Sequence, residues 1–196
     1  MTRLIIFDLD GTLLYTLEDL ADSCNHILLK HQLPTHPLDS FRYFVGNGIK
    51  KLVERALPED KRTEPFLEEF FQEMVAYYDL LKADKTVPYP GIVETLEKLQ
   101  GAGIMLAVAS NKVNKAMAPL MEQYFPSIHF TTFLGQREGI PIKPHPQIVF
   151  DIMQAANVTA EETLYVGDTA VDMKTAHNAG VRAVGVLWGF RDRQEL

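Results

Sequence analysis

Residues 7 to 12 read FDLDGT, with two carboxylates, Asp8 and Asp10, set one residue apart directly after the apolar run Leu4 to Phe7. If both continued an extended backbone, their side chains would share a face, about 6 to 7 Å apart at about 3.3 Å per residue. Carboxylates that close repel each other, and a divalent cation relieves the repulsion. Mg²⁺ is the expected ion: it prefers oxygen ligands, keeps several waters, and completes its shell with one or two carboxylates and a substrate phosphate. Taken alone, Asp-Leu-Asp-Gly also suits a plain turn, because Asp and Gly favour turns for reasons of their own backbone.

Three later segments carry further polar groups that fit this chemistry. The apolar run Ile104 to Ala109 leads into Ser110-Asn111-Lys112, whose hydroxyl and amide could bond phosphate oxygens, or else cap the next helix. Lys143 lies in Ile142-Lys143-Pro144-His145-Pro146, where Pro144 biases it to an extended backbone and Pro146 can open a helix. It is either a solvated loop lysine or a charge placed for phosphate. Leu164-Tyr165-Val166 runs into Gly167-Asp168, with Asp172 four residues on. Asp168 would join the acidic pair, while Thr169-x-x-Asp172 also matches a helix capping box. Acids, a hydroxyl, an amide and a lysine gathered at strand ends suit phosphoryl transfer. In that chemistry a carboxylate attacks phosphorus, a metal neutralises charge, and a second acid manages protons.

The elements that must bring these residues together are legible from periodicity. Short apolar runs at Leu4 to Phe7, Ile104 to Ala109, Ile128 to Phe133, Leu164 to Val166 and Arg182 to Leu187 read as strands. Helical spacing separates the later ones: Ile92, Leu96 and Leu99, then Ala116 to Met121, then Ile148, Val149, Ile152 and Ala156. The alternation predicts an α/β fold, a parallel sheet with helices on both faces, whose ligands bind beyond the carboxyl ends of the strands. The stretch from residue 14 to 85 breaks the alternation. It shows three helical stripes, Leu17 to Leu28, Leu52 to Leu57 and Phe66 to Met74, and returns through the proline-rich Thr86 to Gly91. The expected organisation is a core of residues 1–13 and 86–196 with a helical insert, 14–85.

FDLDGT, VASNK, Lys143-Pro144 and VGDTAVD resemble, in order and position, the four motifs of the haloacid dehalogenase-like superfamily of phosphatases. The match runs from Leu4 to about Leu187. It implies a Rossmann-like core with an inserted helical cap. It further implies Asp8 as nucleophile and metal ligand, and Asp10 as general acid and base that lends the metal its backbone carbonyl. Ser110 and Lys143 would hold the phosphate and the phosphorylated aspartate, with Thr12 and Asn111 beside them. Asp168 would be a metal ligand and Asp172 its supporting acid. An acid at position 10 speaks against the dehalogenase branch, because an ester's leaving alcohol needs a proton.

In the insert, Gly46-Asn47-Gly48 precedes a helical stripe, so bare amides at a helix start could take a small anion, or could simply make a turn. The segment is similar to the cap of the phosphoglycolate phosphatase-like subgroup, which implies 2-phosphoglycolate as substrate. Related caps serve pyrophosphatases, nucleotidases and sugar phosphatases, and a sugar-phosphate mutase keeps both aspartates. A non-catalytic phospho-accepting module is the alternative from another class, and the long insert argues against it. In the subgroup a further strand and helix follow a Trp-Gly segment such as Trp188-Gly189-Phe190. The sequence stops at Leu196, so those elements are expected to be truncated or absent.

Composition narrows the partners. With 46% hydrophobic and 23% charged residues, the 196-residue chain can bury a core. A formal net charge of -7 disfavours nucleic acid, which is bound through excess Lys and Arg. No apolar run approaches the ~20 residues of a membrane-spanning helix. The single cysteine, Cys24, cannot form an internal disulfide, and the start lacks a secretory pattern, so the cytoplasm is the expected compartment. The six histidines show no zinc-ligand spacing. The expected partner is a small phosphorylated substrate, taken by a monomer or homodimer.

Overall fold

The structure, a computed structural model, describes residues 1–81 and 84–196, so Lys82 and Ala83 of the expected insert lie outside the described residues. The chain divides into two compact units, Met1–Tyr15 with Val87–Leu196, and Thr16–Thr86.

The first unit is built on β1 (Leu4–Phe7), β4 (Met105–Val113), β5 (Phe130–Gln136), β6 (Thr163–Gly167) and β7 (Arg182–Gly185). These form one sheet in the order β5-β4-β1-β6-β7, with every pair parallel. Strand β1 is central and all four of its residues are buried, as expected for a strand covered on both faces. Alternation sorts them: Leu4 and Ile6 pack with Ala107, Ala109 and Tyr165 against Ile148 and Ile152 of α7 (Gln147–Ala156) and Ala176 of α8 (Ala170–Asn178). Helices α5 (Ile92–Gly101) and α6 (Met117–Tyr124) lie against β4 and β5. The chain steps from β1 to β4 and β5 on one side, then returns to β6 and β7 on the other. Strand order therefore reverses at β1, and a ligand crevice is expected beyond the carboxyl ends of β1, β4 and β6.

Two details differ from the sequence reading. Strand β4 does not stop at Ala109; it runs on through Ser110, Asn111 and Lys112 to Val113, with an irregular register against β5 between Ala109 and Val113. The helix-capping alternative for Ser110 and Asn111 therefore falls, since a short 3-10 turn at Asn114–Ala116 intervenes before α6. A two-residue strand pair, β2 (Leu14–Tyr15) antiparallel to β3 (Val87–Pro88), joins the segments through which the chain departs and returns. Such short strands leave no periodic trace in sequence.

The second unit holds α1 (Leu17–Lys30), α2 (Leu38–Phe44), α3 (Ile49–Ala56) and α4 (Phe66–Leu81). Its core takes Leu20, Cys24 and Leu28 from α1, Leu52 and Val53 from α3, and Phe70 and Met74 from α4. Of the stripe on α4, Phe70 and Met74 are thus helix core, while Phe66 and Phe71 are half-buried. Helix α2 has no counterpart in the expected stripes, because its seven residues bury only Phe41. Asp19, buried in α1, accepts hydrogen bonds from the Lys85 backbone N–H and the Thr86 hydroxyl, which anchors the returning segment. Among the described residues, no helix is long and apolar enough to cross a membrane.

Candidate active site

Lys143 is the centre of the polar cluster at the sheet edge. It is 2% exposed, and its ammonium donates to Asp8 Oδ1 at 2.8 Å, Asp172 Oδ1 at 2.7 Å and the Tyr165 hydroxyl at 3.1 Å. Three donors meet three acceptors, so the buried charge is both paired and hydrogen-bonded. The lysine reaches this point because the loop between β5 and α7 is clamped. Asn111 donates its amide to the Lys143 carbonyl and accepts from the Lys143 N–H. The Asn111 side chain, expected beside the phosphate, thus holds the lysine's backbone.

Asp8 follows β1, where its N–H donates to the Val166 carbonyl of β6. The chain then turns sharply, with the Leu9 carbonyl accepting from the N–H groups of Thr12, Leu13 and Leu14. The turn requires Gly11, whose φ of +94° and contact with the Asp168 carboxylate leave no room for a Cβ. It also parts the two aspartates. Asp10 pairs with Lys112, 3.1 Å from Oδ1, while Asp8 pairs with Lys143. Each carboxylate therefore has its own lysine, in place of the direct repulsion expected from an extended backbone.

Asp168 follows β6 and is fully buried; Oδ1 accepts from the Thr12 hydroxyl at 3.1 Å and Oδ2 from the Phe190 N–H at 2.7 Å. Asp172 does two jobs. Its Oδ2 accepts from the Thr169 N–H and hydroxyl in a capping box that starts α8, and its Oδ1 accepts from Lys143. The capping-box reading of Asp172 thus holds, and the same side chain also pairs with Lys143. Ser110 is buried in β4, where its hydroxyl accepts from the Lys112 N–H. Gly46, Asn47 and Gly48 belong to the second unit, where both glycines have positive φ and Arg55 donates to Asn47 Oδ1 at 2.8 Å.

Carboxylate oxygens of Asp8, Asp168 and Asp172 lie within 4.8 Å of one another, a group that could hold a metal ion. The electrostatics fit a divalent cation. Four acids, Asp8, Asp10, Asp168 and Asp172, face two ammonium groups, Lys112 and Lys143, which leaves two negative charges in excess. Burial and then Asp172 push the Asp8 carboxyl well above the ordinary range, against the pull of Lys143. Burial and Asp172 likewise push Asp168 up to about 7. Without a cation, protons relieve the surplus; a divalent ion would take their place. Burial alone would lower the Lys143 ammonium, but Asp172 and Asp8 outweigh it and hold it well above its usual range.

Two residues of this cluster had no role in the sequence reading. Lys112 sits two residues after Ser110 on one strand, so it shares that face, a signal that only a strand reaching this far would give. Tyr165 was legible only as a polar-tipped residue in an otherwise aliphatic strand.

The Asp168 shift fixes a sign. A carboxyl raised in the folded state keeps its proton where the unfolded chain has lost it, so its contribution is intact below 3.8 and is lost as pH rises toward about 7. In the metal-free protein, Tm of the wild type relative to Asp168→Asn should fall across that window. A divalent cation should raise it most at the upper end. A flat difference profile that ignores the cation would contradict the cluster as described.

Comparison with known proteins bears on what such a cluster belongs to. The haloacid dehalogenase-like hydrolase model matches residues 5–186. A phosphoglycolate phosphatase of Pseudomonas putida is 34% identical over 198 residues, spanning 97% of this chain and 71% of its own length. That of Mesorhizobium japonicum is 34% identical over 192 residues, spanning 97% and 85%. Among solved structures, a predicted phosphoglycolate phosphatase from Haemophilus somnus aligns with a TM-score of 0.88 at 33% identity, covering 96% of this chain and 86% of that one. A family model spanning nearly the whole chain, over a parallel sheet that ends in these acids and lysines, assigns the protein: it belongs to the haloacid dehalogenase-like hydrolases.

Proposed function

We propose that the protein is a Mg²⁺-dependent phosphatase that hydrolyses a small phosphomonoester through an aspartyl phosphate at Asp8, with 2-phosphoglycolate as the substrate. The observation that carries the chemistry is the buried Lys143 ammonium held between Asp8 and Asp172 at the carboxyl edge of the sheet. Lys143 on Oδ1 orients Asp8 and leaves Oδ2 as the attacking oxygen. Bond formation to phosphorus breaks the ester P–O bond, whose electron pair goes to the alcohol oxygen, protonated by Asp10. Water then gives a proton to Asp10 and attacks phosphorus, breaking the acyl P–O bond and regenerating the Asp8 carboxylate with release of inorganic phosphate.

Asp8, Asp168 and, through its carbonyl, Asp10 would hold the metal, which supplies charge neutralisation for the transferred group. An all-oxygen carboxylate set supports Mg²⁺. Ser110, Thr12 and the Asn111 backbone are the groups we assign to phosphate, and Lys112 we assign to orienting Asp10. In the second unit, residues 14–85 by the sequence reading, Gly46, Asn47 and Gly48 are assigned to the substrate's carboxylate. The relatives named phosphoglycolate phosphatase support that substrate. A single cysteine supports a reducing compartment, the cytoplasm.

Steady-state hydrolysis of phosphoglycolate, pyrophosphate, nucleoside monophosphates and hexose phosphates, with and without Mg²⁺, tests this reading. Phosphoglycolate should be preferred, activity should require the metal, and Asp8→Asn should lose about 10³-fold or more in kcat. Undiminished turnover by Asp8→Asn would remove the aspartyl phosphate; no preference for phosphoglycolate would remove the substrate.

Lys112→Met should lower kcat on phosphoglycolate by roughly tenfold to a hundredfold, part of what a positioned proton donor contributes. The loss should be smaller on p-nitrophenyl phosphate, whose leaving group departs without protonation. Equal losses on both substrates would show that Lys112 acts elsewhere than on Asp10.

A further inference from the structure

The segment that follows β7 closes over Asp168 from a part of the sequence that carries none of the four motifs. Val186 donates its N–H to the Gly167 carbonyl, one residue before the acid. Trp188 donates its indole N–H to the Thr12 carbonyl at 3.1 Å, and Phe190, buried, donates its backbone N–H to Asp168 Oδ2 at 2.7 Å. Thr12 in turn donates its hydroxyl to Asp168 Oδ1. Between the two anchors, Gly189 lies so close that a Cβ there would strike Asp168 Cβ and Oδ2 and the Gly11 carbonyl. A Cβ on Gly11 would strike the same carboxylate and the Phe190 ring.

Both oxygens of Asp168 are thus oriented by donors whose own positions Trp188 and Phe190 fix. We propose that Trp188-Gly189-Phe190 is a positioning element of the metal site, setting the Asp168 carboxylate for a divalent cation and carrying a change in its occupancy to the indole of Trp188. The proposal rests on Asp168 being a metal ligand. Outer partners that orient a ligand change metal affinity by about 10- to 100-fold when lost. Trp188 is the chain's single tryptophan and half exposed, so its emission is an unshared reporter.

The test uses the metal alone. Metal-free wild type titrated with Mg²⁺ should show a saturable change in Trp188 emission, absent in Asp168→Asn. Binding of Mn²⁺, followed by loss of the free-ion electron paramagnetic resonance signal, should weaken about tenfold or more in Gly189→Ala and by a smaller factor in Trp188→Phe. Trp188→Phe keeps the backbone contact to Asp168, so it answers the question even where Gly189→Ala fails to fold. Wild-type Mn²⁺ affinity in these variants, or an emission that stays constant through saturation, would overturn the proposal. If Asp168→Asn alone loses Mn²⁺, the metal reading stands and the positioning role fails. If Asp168→Asn binds Mn²⁺ as the wild type does, the metal reading itself fails.

Discussion

The candidate site depends on one buried ammonium. Lys143 is taken out of water among carboxylates, which costs several kcal/mol for each ion unless geometry offsets it. Three short hydrogen bonds, to Asp8, Asp172 and Tyr165, supply that offset from three different elements. The same lysine therefore has a structural and a chemical part: it ties β1, β6 and α8 at one edge of the sheet, and it fixes the carboxylate assigned to attack. Removing it would leave Asp8 and Asp172 buried without their cation, a change of about 3 to 5 kcal/mol for comparable pairs.

A single ammonium is not enough for the charge present. Lys112 answers Asp10, yet the donors seen on Asp168, the Thr12 hydroxyl and the Phe190 N–H, are neutral. The surplus appears as carboxyls that hold their protons too tightly, Asp168 at about 7. A fold stores such a surplus at a cost in stability, which a bound divalent cation would recover. Topology supplies the place. Reversal of strand order at β1 opens the crevice where Asp8, Ser110 and Asp168 emerge side by side.

Much of this was legible in the sequence, for physical reasons. Continuous apolar runs ending in polar residues marked β1, β4 and β6, because a strand buried on both faces admits little else. The sheet edge followed from their alternation with helices. What escaped reading has causes too. The reach of β4 through Lys112 escaped because Ser, Asn and Lys do not look like strand; pairing with β5 at Ala109 and again at Val113, on either side of a register irregularity, carries the strand across them. The clamp of Asn111 on the Lys143 backbone and the Phe190 N–H on Asp168 join residues far apart in sequence through main-chain atoms, which side-chain identity does not announce. The short helix α2 buries one phenylalanine, too little for a periodic signal. Lys112, two residues from Ser110, shares its face only on a strand that reaches this far, so its place escaped with the strand's extension.

If a divalent cation belongs in this cluster, then in the metal-free protein protons stand in its place. Calorimetric titration of the metal-free protein with Mg²⁺, in buffers of different ionisation enthalpy, counts the protons released as the cation binds. One cation should bind, releasing more than one proton near pH 6, from Asp168 and Asp8 together, and fewer above pH 7, where Asp168 at about 7 has already lost its own. Binding with no proton release at any pH would contradict this exchange of protons for metal.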